Sequence, residues 1–344
     1  MATLPAELAT CAEVEASALF SRPHIAEIDN PNLFRQHSPG PRGPGEGKMS
    51  FVNRILRKFS RTRDKVARIT PYPRKRFIPT NAYLGNDTVI SQLWYGDAIL
   101  LDASDLHISP SVLMLGIWEP HITQFMIDNL HEGDVFLDVG ANVGYFSLLA
   151  SRIVQAQGLV LAFEPQARLA RLVRASLEMN AYKPISFVQA IAIGEREEVG
   201  TLGHMANSSG SSSLEPGFGD GSRPADQVTV ARLDTAIAEA QGTIGRSITP
   251  SMIKIDVEGY EYSVWRGMQQ TIASLEKLTV LIEFSPGRYV SLGQDPSAFI
   301  ADIRSHGFSI FALDNHGAET PFCVSSIPAI IARNDFIDLV LRKG

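Results

Sequence analysis

Three ionisable side chains crowd into five residues of the stretch Ile253-Lys254-Ile255-Asp256-Val257-Glu258-Gly259. Side chains alternate along a strand, so Ile253, Ile255 and Val257 face one way and Lys254, Asp256 and Glu258 the other. A central parallel strand is ordinarily apolar on both faces. Uncompensated buried charge costs several kcal/mol, so these groups must pair internally or meet a ligand. A Lys254–Asp256 pair that only neutralises itself is the plain alternative, but it leaves Glu258 unexplained. Glu283, ending Val280-Leu-Ile-Glu-Phe284, brings another carboxylate to the same rim. With Asp256 it could hold a divalent cation, although two carboxylates do not specify a metal. A helix cap or a partner for Lys254 explains Glu283 equally well.

A second constellation precedes it. Phe136-Leu-Asp138-Val-Gly140-Ala141-Asn142-Val-Gly144-Tyr-Phe-Ser147 joins an apolar run ending in an acid to two glycines and an apolar helix start. Glycines there let backbone approach a ligand, and the helix N-terminus offers it free N–H groups. Glu164, in Phe163-Glu164-Pro165, lies 20 positions beyond Gly144, the spacing at which an acid reaches ribose hydroxyls. Without the two acids, the glycines would mark no more than a tight turn. His121 and His204 are the histidines best placed to act as proton acceptors at this rim, each with a structural role as the alternative.

Positioning these groups takes an α/β frame. Strands are expected at 134–138, 159–163, 185–190, 252–256, 279–284, 308–313 and 336–342, with helices at 145–155, 166–180, 232–240, 261–274 and 296–306. Such alternation predicts a mostly parallel sheet covered on both faces. The last two strands, with no helix expected between them, should pair antiparallel at an edge. Thr88–Trp94 and Ala98–Leu101 suggest short strands, and Pro120–Leu130 a helix, in a lid or substrate subdomain over 78–133. Gly200–Asp226, rich in Ser and Gly, reads as a lid loop.

The first 48 residues read as poorly ordered: the Ala/Glu-rich run over 6–19 could form a short helix, but Phe34–Lys48, dominated by Gly and Pro, can bury little, and Met49 could be an alternative start. Residues 49–77 form a basic amphipathic segment, with ten Lys and Arg against Asp64 over 49–76 and Phe51, Ile55 and Phe59 spaced four apart. Its two readings are peripheral contact with anionic lipid and a solvated basic helix. The whole chain, 344 residues at net charge −6, does not suit nucleic-acid binding. Cys11 and Cys323 form no metal pattern, no apolar run spans a bilayer, and no secretory signal is evident. A cytoplasmic protein is expected, peripheral at the inner membrane face if the basic segment binds lipid.

The chain resembles the FkbM-type family of S-adenosylmethionine-dependent methyltransferases. The likeness rests on Phe136–Ser147, Ala162-Phe-Glu-Pro165, Ala192-Ile-Gly-Glu195, Arg232-Leu-Asp234 and Ile253–Glu261, and covers about Ile78 to Leu341. It implies a Rossmann-like, seven-strand class I methyltransferase sheet with an antiparallel edge, occupying 134–344. Asp138, Gly140, Ala141, Asn142 and Gly144 would then line the methionine part of the cofactor S-adenosyl-L-methionine, Glu164 would hold the ribose, and Gln189 and Ala190 would lie near adenine. Asp256 and Glu258, tuned by Lys254, would be the catalytic groups nearest the methyl. The implied acceptor is a hydroxyl of a sugar, glycolipid or natural product. Two other classes stay open: a non-catalytic scaffold on the same fold, and an NAD-dependent oxidoreductase, which would want Gly-x-Gly-x-x-Gly where Asn142 and Val143 stand.

Overall fold

A computed structural model describes residues 77–206, 208 and 212–344. The expected tail over 1–48 and the basic segment, apart from Phe77, lie outside the described residues. Five-residue runs with every side chain buried, β4 (Val135–Val139) and β5 (Leu159–Phe163), lie side by side within the main sheet. That is the pattern of parallel strands covered on both faces. Beside them run β6 (Ser186–Gln189), β11 (Met252–Ile255), β12 (Leu278–Phe284), β13 (Ser309–Leu313), β14 (Glu319–Pro321) and β15 (Ile337–Lys343). Their spatial order is β14-β13-β15-β12-β11-β4-β5-β6.

β15 is antiparallel to both β12 and β13, and β14 is antiparallel to β13. The sheet therefore has eight strands rather than seven, the addition being the three-residue β14. The last expected strands do pair antiparallel, but they lie inside the sheet rather than at its edge. A helix, α10 (Ile327–Arg333), intervenes where none was expected, closed by Asn334 in the left-handed region.

Helices α3 (Tyr145–Val154) and α4 (Ala167–Met179) follow β4 and β5. In α4, Leu169, Ala170, Leu172, Val173, Ser176 and Leu177 are buried, an apolar stripe at helical spacing. Later in the chain come α5 (Leu233–Ile244), α6 (Glu261–Gly267), α7 (Gln269–Ser274), α8 (Pro286–Ser291) and α9 (Pro296–Ser305). The single helix expected over 261–274 thus breaks at Met268.

Before the sheet come a three-stranded meander, β1 (Ala82–Gly85), β2 (Thr88–Gln92) and β3 (Ala98–Asp102), and two helices, α1 (Ile108–Leu115) and α2 (Pro120–Asn129). The free edge of β3 is satisfied by α4: Ala98 N–H donates to Asn180 Oδ1 at 2.9 Å and Leu100 N–H to Ser176 Oγ at 2.9 Å. These bonds fix the subdomain over the start of the main sheet.

Gly200–Asp226 is not simply a loop. β7 (Ala192–Ile193), β8 (Glu198–His204), β9 (Ser212–Ser213) and β10 (Asp226–Ala231) make a small second sheet around Ala192, Leu202, Val228 and Val230. Among the described residues, no helix is long and apolar enough to cross a membrane.

Candidate active site

The turn after β4 is built from backbone that side chains disfavour. Gly140, Asn142 and Gly144 have φ of 87°, 50° and 82°, and a Cβ on Gly140 would drive into the backbone carbonyl of Asp256. Glycine is required there because the turn rests directly on the segment leaving β11. Glu164 fastens the turn from the next strand. Its Oε2 accepts from Asn142 N–H at 2.9 Å and its Oε1 from Gln166 N–H at 2.8 Å. Burial outweighs these bonds and pushes the carboxyl up to about 7. Beneath the turn, Asp138 Oδ2 accepts from Ser147 Oγ at 2.6 Å, while Oδ1 is buried without a hydrogen-bond partner among the described residues. Burial raises this carboxyl too, against the pull of the Lys254 ammonium.

Across the crevice the acids come from four separate segments. Lys254 is buried on β11, lies 4.9 Å over the Phe146 ring, and donates to Asp256 Oδ2 at 2.7 Å. Burial pulls its pKa down, but the carboxylates of Asp256, Asp138 and Glu119 more than reverse this. Glu258, at φ 56°, accepts from Arg288 Nη1 at 2.7 Å, and Arg288 Nε reaches Glu215 at 3.1 Å. Burial, then the Asp256 charge, pushes Glu258 to about 7. Glu283 accepts from Ser285 Oγ at 3.1 Å and is raised well above the usual range by burial and by Asp256. Glu119 enters from the start of α2. Burial lifts its carboxyl to about 8, against Lys254 and with Asp256, Asp338 and Glu258 adding to the rise.

These groups surround two cavities. The larger, about 480 Å³, is lined by the glycine turn together with Glu119, Lys254, Asp256, Glu258, Glu283 and Arg288. The smaller, about 50 Å³, is lined by Glu164, Pro165, Ile191, Ala192, Ile193 and Tyr260, among others. Gly140, Asn142, Asp256 and Glu258 line both. They are the wall between one space and the other.

Of the residues expected from the sequence, Gly140, Ala141 and Asn142 reach the larger cavity, Glu164 the smaller, and Lys254, Asp256 and Glu258 the larger. Asp138, Gly144, Gln189 and Ala190 lie outside both linings, and Ile191 and Ala192 stand where Gln189 and Ala190 were expected. The self-neutralising Lys254–Asp256 pair is present, and Arg288 supplies the partner for Glu258 that the sequence did not show. Neither expected histidine lines a cavity. His121 Nε2 is 2.9 Å from Asp338 Oδ2. His204 ends β8 as a buried side chain between Ser212 and Asp226, its pKa lowered by burial and by Arg223. Among the described residues no cluster of three metal-ligating side chains forms. Glu119 and Arg288 are the groups that sequence reasoning missed; the only available signals were an acid before Pro120 and an arginine opening α8.

Strand order, reversed β15 and a glycine turn at the carboxyl ends of the central strands define a Rossmann-like α/β fold of the class I methyltransferase type. A model of the methyltransferase FkbM domain matches residues 138–310, half of the chain, and the chain belongs to that family. A protein-L-isoaspartate(D-aspartate) O-methyltransferase model matches residues 60–196. The hexuronic acid methyltransferase AglP of Haloferax volcanii is 25% identical over 171 residues, which make up 49% of this chain and 63% of that relative. The chain thus spans less than two thirds of its curated relative's length. The crystal structure of methyltransferase FkbM from Methylobacillus flagellatus KT is 17% identical, with TM-score 0.38, covering 62% of this chain and 44% of that one. An O-methyltransferase from Bacillus cereus, solved in complex with SAH, is 11% identical, with TM-score 0.36, covering 65% of this chain and 79% of that one.

Proposed function

We propose that the chain is an S-adenosylmethionine-dependent O-methyltransferase acting on a hydroxyl of a sugar, glycolipid or related natural product. The single observation that carries this reading is the shared wall of the two cavities, formed by Gly140, Asn142, Asp256 and Glu258. A ligand with a nucleoside at one end and a reactive group at the other needs two spaces joined this way.

The residues fit that cofactor. Asp138 Oδ1 and Gln189 Oε1 are buried without partners among the described residues, and the turn at Gly140 leaves no room for a side chain. In this reading Gly140, Ala141, Asn142 and Gly144 cradle the methionine part, with Asp138 supporting the turn from below. Glu164, each oxygen keeping a lone pair beyond its backbone bond, takes the ribose hydroxyls, and Ile191 and Ala192, just past the strand end at Gln189 and Ala190, border the base. The bound cofactor supplies a methyl already activated as a sulfonium.

The chain's part is to align an acceptor oxygen and remove its proton. Asp256, half-exposed beside Lys254, and Glu258, held by Arg288, orient the acceptor at the wall. Lys254 offsets the charge of the surrounding carboxylates. A hexuronic acid relative supports a carbohydrate acceptor and does not name one.

The test is a thermal shift followed by turnover. S-adenosylhomocysteine at about 100 times its dissociation constant should add roughly 2.7 kcal/mol. Transfer of labelled methyl should then appear on one member of a panel of hexoses, hexuronic acids and glycolipids. Stabilisation by NAD alone would overturn the reading, and binding without transfer to any acceptor would favour a scaffold.

We also infer peripheral contact with an anionic membrane face. Residues 49–76 carry a local charge of +9. In the described chain Ile78, Met114 and Leu115 are exposed, and Phe77 packs against Gly116 at the end of α1. Flotation with phosphatidylserine vesicles, lost at high salt, is the expected result; equal flotation with neutral vesicles would contradict it.

A further inference from the structure

Each carboxylate of the larger cavity except one is held at an oxygen by a donor. Asp256 has Lys254, Glu258 has Arg288, Glu283 has Ser285 Oγ, and Asp335 accepts from Phe336 N–H at 3.1 Å. Glu119 differs. Its Oε2 is buried and has no hydrogen-bond partner among the described residues, although an unmatched buried carboxylate oxygen is among the costlier defects a fold can carry.

Its backbone is also strained. Glu119 is the N-cap of α2 at φ 38° and ψ 76°, in the left-handed region, with Pro120 locking the next residue. An N-cap carboxylate ordinarily accepts from the first-turn N–H groups, yet this one makes no such bond. Capping does not explain the residue. Strain of this sort at a cavity wall is a pointer to function.

The frame holds Glu119 in place. Its carbonyl accepts from Thr123 N–H at 2.9 Å, Thr123 Oγ1 is bonded to the Trp118 carbonyl at 2.8 Å, and His121 ties the helix to Asp338 of β15. We propose that Glu119 is the catalytic base, its carboxylate, which lines the larger cavity, receiving the acceptor's hydroxyl proton as methyl transfer proceeds. This rests on the hydroxyl-methylating reading above.

The step balances. The acceptor oxygen forms its bond to the methyl carbon while the carbon–sulfur bond breaks and its electron pair leaves with sulfur. The O–H proton passes to the Glu119 carboxylate, which later returns it to water through the open cavity. The charges facing Glu119 suit this traffic. Lys254, on β11, favours the carboxylate, whereas Asp256, Glu258 and Asp338, from the segment after β11 and from β15, favour the protonated acid, and Tyr145 of α3 also lies in its field. A base between these opposing influences can take a proton and release it near neutral pH.

The experiment compares wild type, Glu119→Gln and Glu119→Asp in the full chain. It measures S-adenosylhomocysteine affinity by calorimetry, and kcat and KM against pH using the best acceptor of the carbohydrate panel. Expected for Glu119→Gln are unchanged affinity within twofold, KM within about threefold, and kcat lowered at least 100-fold, with the alkaline rise of the wild-type profile gone. Glu119→Asp should recover part of kcat. Wild-type kcat in Glu119→Gln would overturn the proposal, as would losses of affinity and kcat in equal measure, which mark a structural role. A wild type that binds the cofactor product and methylates no acceptor refutes the underlying reading instead, and this proposal with it.

Discussion

The two cavities are built on opposite plans. The smaller one, with the turn beside it, is held by backbone: Asn142 and Gln166 N–H groups on Glu164, and a glycine whose missing side chain lets the turn after β4 rest on the segment leaving β11. The larger is walled by charged side chains arriving from α2, β11, the segment before α6, β12 and α8. One plan recognises a constant ligand through shape and main-chain polarity. The other gathers charge whose balance can be adjusted residue by residue. The difference suits a fixed cofactor facing a variable acceptor, and each half can be broken without the other.

The largest effect should come from the backbone half. Gly140→Ala forces a Cβ into the Asp256 carbonyl at a positive φ, and S-adenosylhomocysteine affinity should fall by roughly 100-fold or more, read by calorimetry. Preserved affinity would show that the turn tolerates movement and is no cradle.

Next is the charged half. Lys254→Met strips the buried cation from Asp256 and its neighbours, and should cost about 3–5 kcal/mol in urea unfolding. Asp256→Ala should reduce turnover by about 100-fold through lost alignment, with S-adenosylhomocysteine affinity largely kept. Turnover unchanged in both Asp256→Ala and Glu258→Ala would remove the wall from the chemistry.

A pH effect sharpens the contrast further. The Glu119 carboxyl ionises at about 8 in the folded chain against 4.5 for the unperturbed group. Between those values the unfolded state has given up a proton that the folded state keeps, so this group's contribution to stability falls as pH rises. Glu119→Gln should flatten the decline, and the variant should gain on wild type in urea midpoint on going from pH 5 to pH 8. An unchanged difference at the two pH values would place the carboxyl in an ordinary environment.

The smallest effect is expected at the latch. Glu215→Ala frees Arg288 Nε and should cost about 1 kcal/mol, with a rise in acceptor KM rather than in cofactor affinity.

Much of the backbone half was legible because its parts are neighbours in the chain. Asp138 to Gly144 is one local pattern, and Glu164 sits one strand–helix–strand unit away. Lys254, Asp256 and Glu258 were legible for the same reason, as an alternation that breaks the rule for a central strand. Glu119 and Arg288 follow no such pattern, since tertiary packing alone brings α2 and α8 to the rim. The stretch Gly200–Asp226 misled because Ser and Gly composition signals loop, while the pairing of β8 with β10 is non-local. His204 was misplaced for that reason too. It was assigned to a mobile cover and proved to be the end of a strand.

The position of β15 has a consequence for how the site comes into being. This strand lies between β12 and β13, and its Asp338 anchors the helix that presents Glu119. A ribosome has therefore delivered every carboxylate of the cavity before it delivers the strand that sets them in register. Until that strand inserts, the nascent chain holds a full complement of acids and no ordered centre, so competence waits on β15.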